Sequence, residues 1–145
     1  MIAFVTEGHI YKMTIEGGSH TQLTFLNATE FNPAWSPDGK RIAFGSNEGG
    51  AYKVWIVDAD GANRRQFAKT QLTPDDDEFG TITWSPERHI LYQKAGNHNF
   101  NIVDPETEEE KPLVQKESVG WMSEPMYSRD GKSQYIGTDG KPGSG

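Results

Sequence analysis

An all-β fold of four-stranded antiparallel blades, a β-propeller with about three blades' worth of strands, is what three features of this 145-residue sequence predict. An aromatic–Ser turn motif recurs at intervals of roughly 40–50 residues, the period of a propeller blade. Each copy is followed by an apolar triplet. Each triplet is followed by further short strand patterns that end in turns. No stretch shows helical periodicity of useful length.

The first full copy of the motif runs from Asn32 to Phe44, NPAWSPDGKRIAF. In Ser36-Pro37-Asp38-Gly39 the proline presets φ for the second turn position, Asp38 tolerates the third, and Gly39 can take the positive φ of a tight reversal. The flanks, Pro33-Ala34-Trp35 and Arg41-Ile42-Ala43-Phe44, are rich in aromatic and β-branched residues and read as the two strands of a hairpin. WSPDGK at Trp35 returns as WSPERH at Trp84 and as YSRDGK at Tyr127, 49 and 43 residues further on. Pro86 repeats Pro37, and Asp130-Gly131 repeats Asp38-Gly39. The triplet returns as Ile90-Leu91-Tyr92 and Gln134-Tyr135-Ile136, and Ile2-Ala3-Phe4 stands 40 residues ahead of Ile42.

Downstream of the triplets, YKMTIEGG from Tyr11, YKVWIVDADG from Tyr52 and FNIVDPET from Phe100 read as third strands. Within the second of these, Val54 and Ile56 alternate with Lys53, Trp55 and Val57, a period of two. Short fourth segments follow at Thr21, Arg64 and Lys111. Each unit is thus four strands, A to D. The predicted organisation is a single propeller domain or propeller fragment: a partial blade over 1–26, blades over 32–68 and 81–115, a partial blade over 124–137, and a tail over 138–145. Trp35, Trp84 and Tyr127 hold equivalent positions and are expected to pack between neighbouring blades.

NPAWSPDGKRIAF…VWIVDADGANRRQ resembles the TolB-type propeller repeat, a relative of the WD-type blade. The likeness is specific over Asn32 to Gln66. It is degenerate over Thr81 to Val114, where Glu87-Arg88-His89 replaces Asp-Gly-Lys, and over EPMYSRDGKSQYI, which lacks the second proline and the tryptophan. The resemblance implies protein–protein contact as the role and the bacterial periplasm as the setting. The alternative it implies is a fragment of an enzyme-associated propeller: the gating propeller of a prolyl-oligopeptidase-like peptidase, or an oligogalacturonate-lyase-like metal-dependent propeller.

Thirteen strands are fewer than the four to eight blades of closed propellers require. An open arc exposes sheet edges and an apolar blade face. The expectation is either a piece of a longer propeller or self-association, in which two copies offer about six blades. In the second case strand A of one copy (Pro125 to Ser128) sits against strands B to D of the other.

Composition narrows the function. Lys plus Arg at 14 against Asp plus Glu at 21 gives a net charge of −7, against a phosphate-tracking nucleic-acid binder. Zero cysteines exclude a disulfide framework and cysteine-based zinc or redox sites. No apolar run approaches the ~18 residues of a membrane span, so membrane insertion is not expected. No basic and apolar leader precedes Ile2-Ala3-Phe4.

Candidate binding residues sit in the D-to-A and B-to-C connections, which share the channel-mouth face of a propeller and carry the irregular segments. These are Leu26 to Asn32, Leu72 to Gly80 and Glu117 to Glu124. Asn32, Thr81 and Glu124 are read as the residues just before each strand A. Trp121, Met122 and Phe79 suit a protein or peptide partner, and His98 lies in a B-to-C loop. No catalytic constellation is visible: there is no Gly-x-Ser-x-Gly elbow, and the four histidines lack ligand spacing. No cofactor is expected. Calcium on Asp75-Asp76-Asp77-Glu78 is a weak alternative, because consecutive carboxylates rarely converge on one ion. The turn Asp58-Ala59-Asp60-Gly61 opens like an EF-hand loop but has Lys69 where the twelfth-position glutamate belongs. Asp130-Gly131-Lys132-Ser133 is a hairpin turn, since Met126 stands where a phosphate loop needs glycine.

Overall fold

Turn chemistry and two-residue alternation do what the sequence leads one to expect. In the computed structural model, which describes residues 1–69, 71–72, 74–75, 78–79, 81–93, 100–113 and 122–138, every regular element is a β-strand. For residues 74–75, 78–79, 122–125 and 134–138 only the backbone is described.

The first sheet has three strands, β1 (Ile2–Thr6), β2 (His9–Met13) and β3 (His20–Gln22), in sequence order. The second has four, β4 (Glu30–Trp35), β5 (Arg41–Ser46), β6 (Lys53–Asp58) and β7 (Arg65–Gln66). A small hairpin, β8 (Pro74–Asp75) with β9 (Glu78–Phe79), precedes the third sheet. That sheet is β10 (Ile82–Trp84), β11 (Ile90–Gln93), β12 (Phe100–Val103) and β13 (Glu110–Pro112). A last hairpin pairs β14 (Met122–Tyr127) with β15 (Gln134–Thr138). All pairings are antiparallel meanders, the order of strands B–D, A–D, A–D and A–B in a propeller arc.

The aromatic–Ser turn is one construction used twice. Ser36 Oγ donates to Asp38 Oδ1 at 2.7 Å, the Lys40 N–H donates to the same oxygen at 3.1 Å, and the Arg41 N–H donates to Ser36 Oγ at 3.0 Å. Ser128, Asp130, Lys132 and Ser133 repeat these bonds at 2.5, 3.1 and 3.0 Å. Gly39 and Gly131 both take left-handed φ, at 69° and 71°. The middle copy closes one residue earlier, Ser85 N–H to the His89 carbonyl, and Arg88 occupies the left-handed position at φ 67°.

These bonds hold the Asp38 and Asp130 carboxyls below the ordinary aspartate value of 3.8, through the serine hydroxyl first and the lysine N–H second. The ionised form is favoured in the folded state. The turns therefore contribute their full stabilisation above pH 3.8 and lose it as pH falls through the lowered folded values. Between about pH 5 and about pH 2 the thermal midpoint of the native chain should fall more steeply than that of the Asp38→Asn, Asp130→Asn double variant. Parallel curves would show that the turns carry no such linkage.

The first three sheets stack face to face, with one apolar cluster in each of the two interfaces between them. Ile10, Leu23, Ile42, Phe44 and Val57 fill the space between the first and second blades, with Ala3, Trp35 and Trp55 beside them. Phe31, Ala43, Val54, Ile56, Ile82, Trp84, Ile90 and Tyr92 belong to the cluster between the second and third. The alternation in β6 resolves into these two clusters, Val54 and Ile56 one way, Val57 and Trp55 the other. Both faces are covered because a blade inside a stack has a neighbour on each side. Gly45 leaves the room that the Phe31 ring occupies: a Cβ there would lie 2.2 Å from the ring.

Strand A begins earlier than expected. Asn32 and Glu124 lie inside β4 and β14, not ahead of them, each followed by a proline at a register shift. Proline has no N–H for the ladder, and the shift absorbs the gap as a bulge. Asn32 there takes φ 48°. Strand β14 pairs with β15 along one edge.

Candidate functional site

The face formed by the B-to-C and D-to-A connections carries a braced loop platform. The β1–β2 turn is the two-residue reversal Glu7-Gly8, with φ of 52° and 77°. Its Gly8 carbonyl accepts from the Glu30 N–H at 3.0 Å. On the other side, the Thr29 N–H donates to Asn47 Oδ1 at 2.7 Å, and the Asn47 N–H returns a bond to the Thr29 carbonyl at 3.3 Å. The β3–β4 connection is thus tied to the connections of two blades. It presents Phe25 and Leu26 to solvent, 73% and 45% exposed, while Leu23 and Thr24 beside them are buried. Ordering these two apolar residues at the surface gains nothing within the chain.

Beneath the platform lies a buried polar network. Thr24 Oγ1 accepts from the Ile10 N–H at 2.9 Å and donates to the Glu30 carboxylate. Glu30 is wholly buried, and its other oxygen receives Arg64 Nη2 at 2.9 Å. Arg64 also pairs with Glu48, and its guanidinium lies 4.4 Å over the Trp55 ring and 5.6 Å from the Phe44 ring. His9 Nδ1 stands 3.9 Å from Glu30, too far for a hydrogen bond. A buried carboxylate needs such pairing because desolvation alone would expel it. The network fixes where β4 starts, and with it the loop that carries Phe25 and Leu26.

Of the residues singled out from sequence, Asn32 is exposed at its bulge on strand A. Thr81 lies just before β10, and its carbonyl accepts from the Gln93 N–H at 3.2 Å. Phe79 lies on β9, and Met122 and Glu124 lie on β14, all known through the backbone. Trp121 and His98 lie outside the described residues. The acidic run places Asp75 and Glu78 opposite each other in the β8–β9 hairpin, with their side chains outside the description.

The repeat residues do form a set. Trp35, Trp84 and Tyr127 end their A strands. Trp84 Nε1 donates to the Ala34 carbonyl of the preceding blade at 2.9 Å. Burial, together with the charge of Glu87, raises the Tyr127 phenol, partly offset by a hydrogen bond with Ser85. Pro86 packs close to Gly131 of the next turn.

Sequence reasoning missed Phe25, which lies one residue outside the loop it selected. The signal was present as adjacent apolar residues immediately before Asn27-Ala28-Thr29, out of step with strand alternation. It also missed Glu30 and Arg64.

The opposite face, made by the A-to-B and C-to-D turns, holds two shallow cavities. One of about 250 Å³ is bounded by Arg41, Glu87, Arg88, His89, Asp104 and Glu106. The other, of about 620 Å³, lies between the Asp38–Arg41 and Asp58–Asp60 turns. Arg41 pairs with Glu106 at 2.7 Å and Arg88 approaches Asp38 at 3.8 Å, so the charges there largely neutralise one another. Among the described residues no set of three His, Asp or Glu side chains is placed to hold a metal.

No protein-family model matches the chain. A 45-residue stretch is 42% identical to dipeptidyl-peptidase 5 of Porphyromonas gingivalis, covering 31% of this chain and 7% of that protein. Another alignment, 83 residues long and 31% identical, is with the Tol-Pal system protein TolB of Thioalkalivibrio sulfidiphilus, covering 48% of this chain and 19% of that one. The solved structure of the putative TolB from Agrobacterium tumefaciens superposes with a TM-score of 0.71 at 22% identity, over 94% of this chain and 49% of the other. TolB from Acinetobacter baumannii gives 0.64 at 21%, over 94% and 33%. The tricorn protease gives 0.52 at 22%, over 81% and 11%. The matched part of the chain spans less than half the length of each of these proteins. The repeat in the sequence, the stacked antiparallel sheets and these likenesses place the chain's fold among the TolB-type β-propellers.

Proposed function

We propose that this chain is a non-catalytic propeller module that docks a protein partner on the loop face around Phe25 and Leu26. The observation that carries this reading is the exposure of two adjacent apolar side chains on a loop braced by main-chain bonds to both flanking blades. A rigid apolar anchor loses little entropy on binding, which suits it to the centre of a protein contact. Likeness to TolB proteins, one of them named for the Tol-Pal system, supports the same role.

A second reading rests on the stretch shared with dipeptidyl-peptidase 5 and on the tricorn likeness: a propeller segment belonging to a peptidase. A photo-crosslinking residue at Phe25, with a control at Lys40 on the opposite face, separates the two in extract of the source cells. A discrete adduct from Phe25 alone, lost when Leu26→Asp is added, is the expected result. An adduct with a hydrolase polypeptide would favour the peptidase reading. Equal labelling from both positions would overturn the docking face.

A further inference from the structure

The three copies of the aromatic–Ser turn share one backbone bond, and the middle copy puts an unexpected residue on it. Gly39, Arg88 and Gly131 each donate a main-chain N–H to the carbonyl of the serine three residues earlier, at 2.9, 3.0 and 2.8 Å. All three take left-handed φ, at 69°, 67° and 71°. Glycine reaches that region freely, whereas an arginine there brings its Cβ against the following carbonyl. Nothing in the turn offsets that strain. The Arg88 side chain is 63% exposed, and its Nη1 stands 3.8 Å from Asp38 Oδ2, beyond hydrogen-bond reach. Asp38 already serves its own turn through Ser36 and the Lys40 N–H. Among the described residues no hydrogen bond engages the Arg88 guanidinium.

Arg88 instead borders both cavities of the turn face. In the smaller, of about 250 Å³, it shares the wall with Glu87, His89, Asp104 and the Arg41–Glu106 pair. Arg41 is committed to Glu106 at 2.7 Å, which leaves Arg88 as the guanidinium with donors to offer. Asp104 Oδ2 lies 3.9 Å from His89 Nε2, too far for a hydrogen bond. We propose that this cavity binds a small zwitterion of the amino-acid type, its carboxylate on the Arg88 fork and its ammonium against Asp104 and Glu87. The mixed wall does the selecting. Its carboxylates repel a dianion such as phosphate, and its guanidinium groups repel a simple amine. A molecule that carries one charge of each sign meets both. The planar fork matches a carboxylate through two parallel bonds, which a lysine could not supply. The site lies on the face opposite the loop platform and does not depend on docking there.

The test is a titration of the ¹⁵N-labelled chain with ω-amino acids from glycine to 6-aminohexanoate, with acetate and methylammonium chloride as singly charged controls. The expected result is saturable shifts of the Arg88 and His89 amides, strongest at one chain length and about tenfold tighter than either control, the worth of one charged hydrogen bond. Arg88→Asn should remove that advantage while the urea midpoint holds or rises, because asparagine tolerates left-handed φ. Arg88→Lys keeps the charge without the fork and should fall between the two. The site is overturned if no ω-amino acid exceeds the controls, or if Arg88→Asn binds as the native chain does. A clear fall of the midpoint in Arg88→Asn would overturn it as well, by assigning the arginine to the fold through Asp38.

Discussion

Replacing Glu30 with alanine is expected to lower the unfolding free energy by about 3 kcal/mol, the low end of what breaking a buried ion pair costs. The carboxylate is fully buried, and its removal takes one of two carboxylate partners from Arg64, itself only 14% exposed. The loss stays at the low end because Arg64 keeps Glu48 and the face of Trp55. The Thr24 hydroxyl loses its acceptor at the same time. Removing both charges together, as in Glu30→Leu with Arg64→Met, should cost far less than the sum of the single changes, since no buried charge is then left unpaired. Urea midpoints at unchanged m-value decide the matter. A loss below about 1 kcal/mol for Glu30→Ala would mean that the network behaves like an ordinary surface pair.

Trp84→Ala should cost about 4 kcal/mol, within the range for truncating a buried aromatic residue. Trp84 is 7% exposed, packs in the larger apolar cluster, and bonds across the interface to Ala34. Arg41 lies 5.7 Å over the same ring. Trp84→Phe isolates the polar part: most of the ring area stays, the Ala34 carbonyl loses its donor, and the cost should be about 1 kcal/mol. Thermal and urea unfolding of the two variants separate the terms. Equal losses would show that the hydrogen bond, not the packing, governs this interface.

The fold was legible because its signals are local. A Ser-Pro-Asp-Gly turn states its own dihedrals, and an apolar triplet after it marks a strand. Repetition then supplies the period. What was hidden depended on other blades. Glu30 reads in sequence as a polar residue at a loop end, and only the stacked fold brings Arg64, 34 positions away, onto it. Val57 reads as the outer half of an alternation until a neighbouring sheet covers it. The starts of β4 and β14 were displaced because Pro33 and Pro125 suggest an interruption, whereas the strand continues through a bulge. The β3–β4 connection was read as Leu26 to Asn32 from its irregularity, and Phe25, which breaks the alternation, fell just outside it. Its importance rests on bracing by Asn47 and Gly8, which no local pattern announces.

Because each sheet packs on the sheets next to it in sequence, the molecule is a short one-dimensional stack and its cooperativity is that of neighbours. The second blade is the sheet with a large apolar cluster on each face. Amides of β5 and β6 should therefore exchange with solvent last, and those of β1 and β15 first. Opening proceeds inward from either end like the fraying of a short duplex, and the loops of the middle blades keep their shape after the terminal strands have let go.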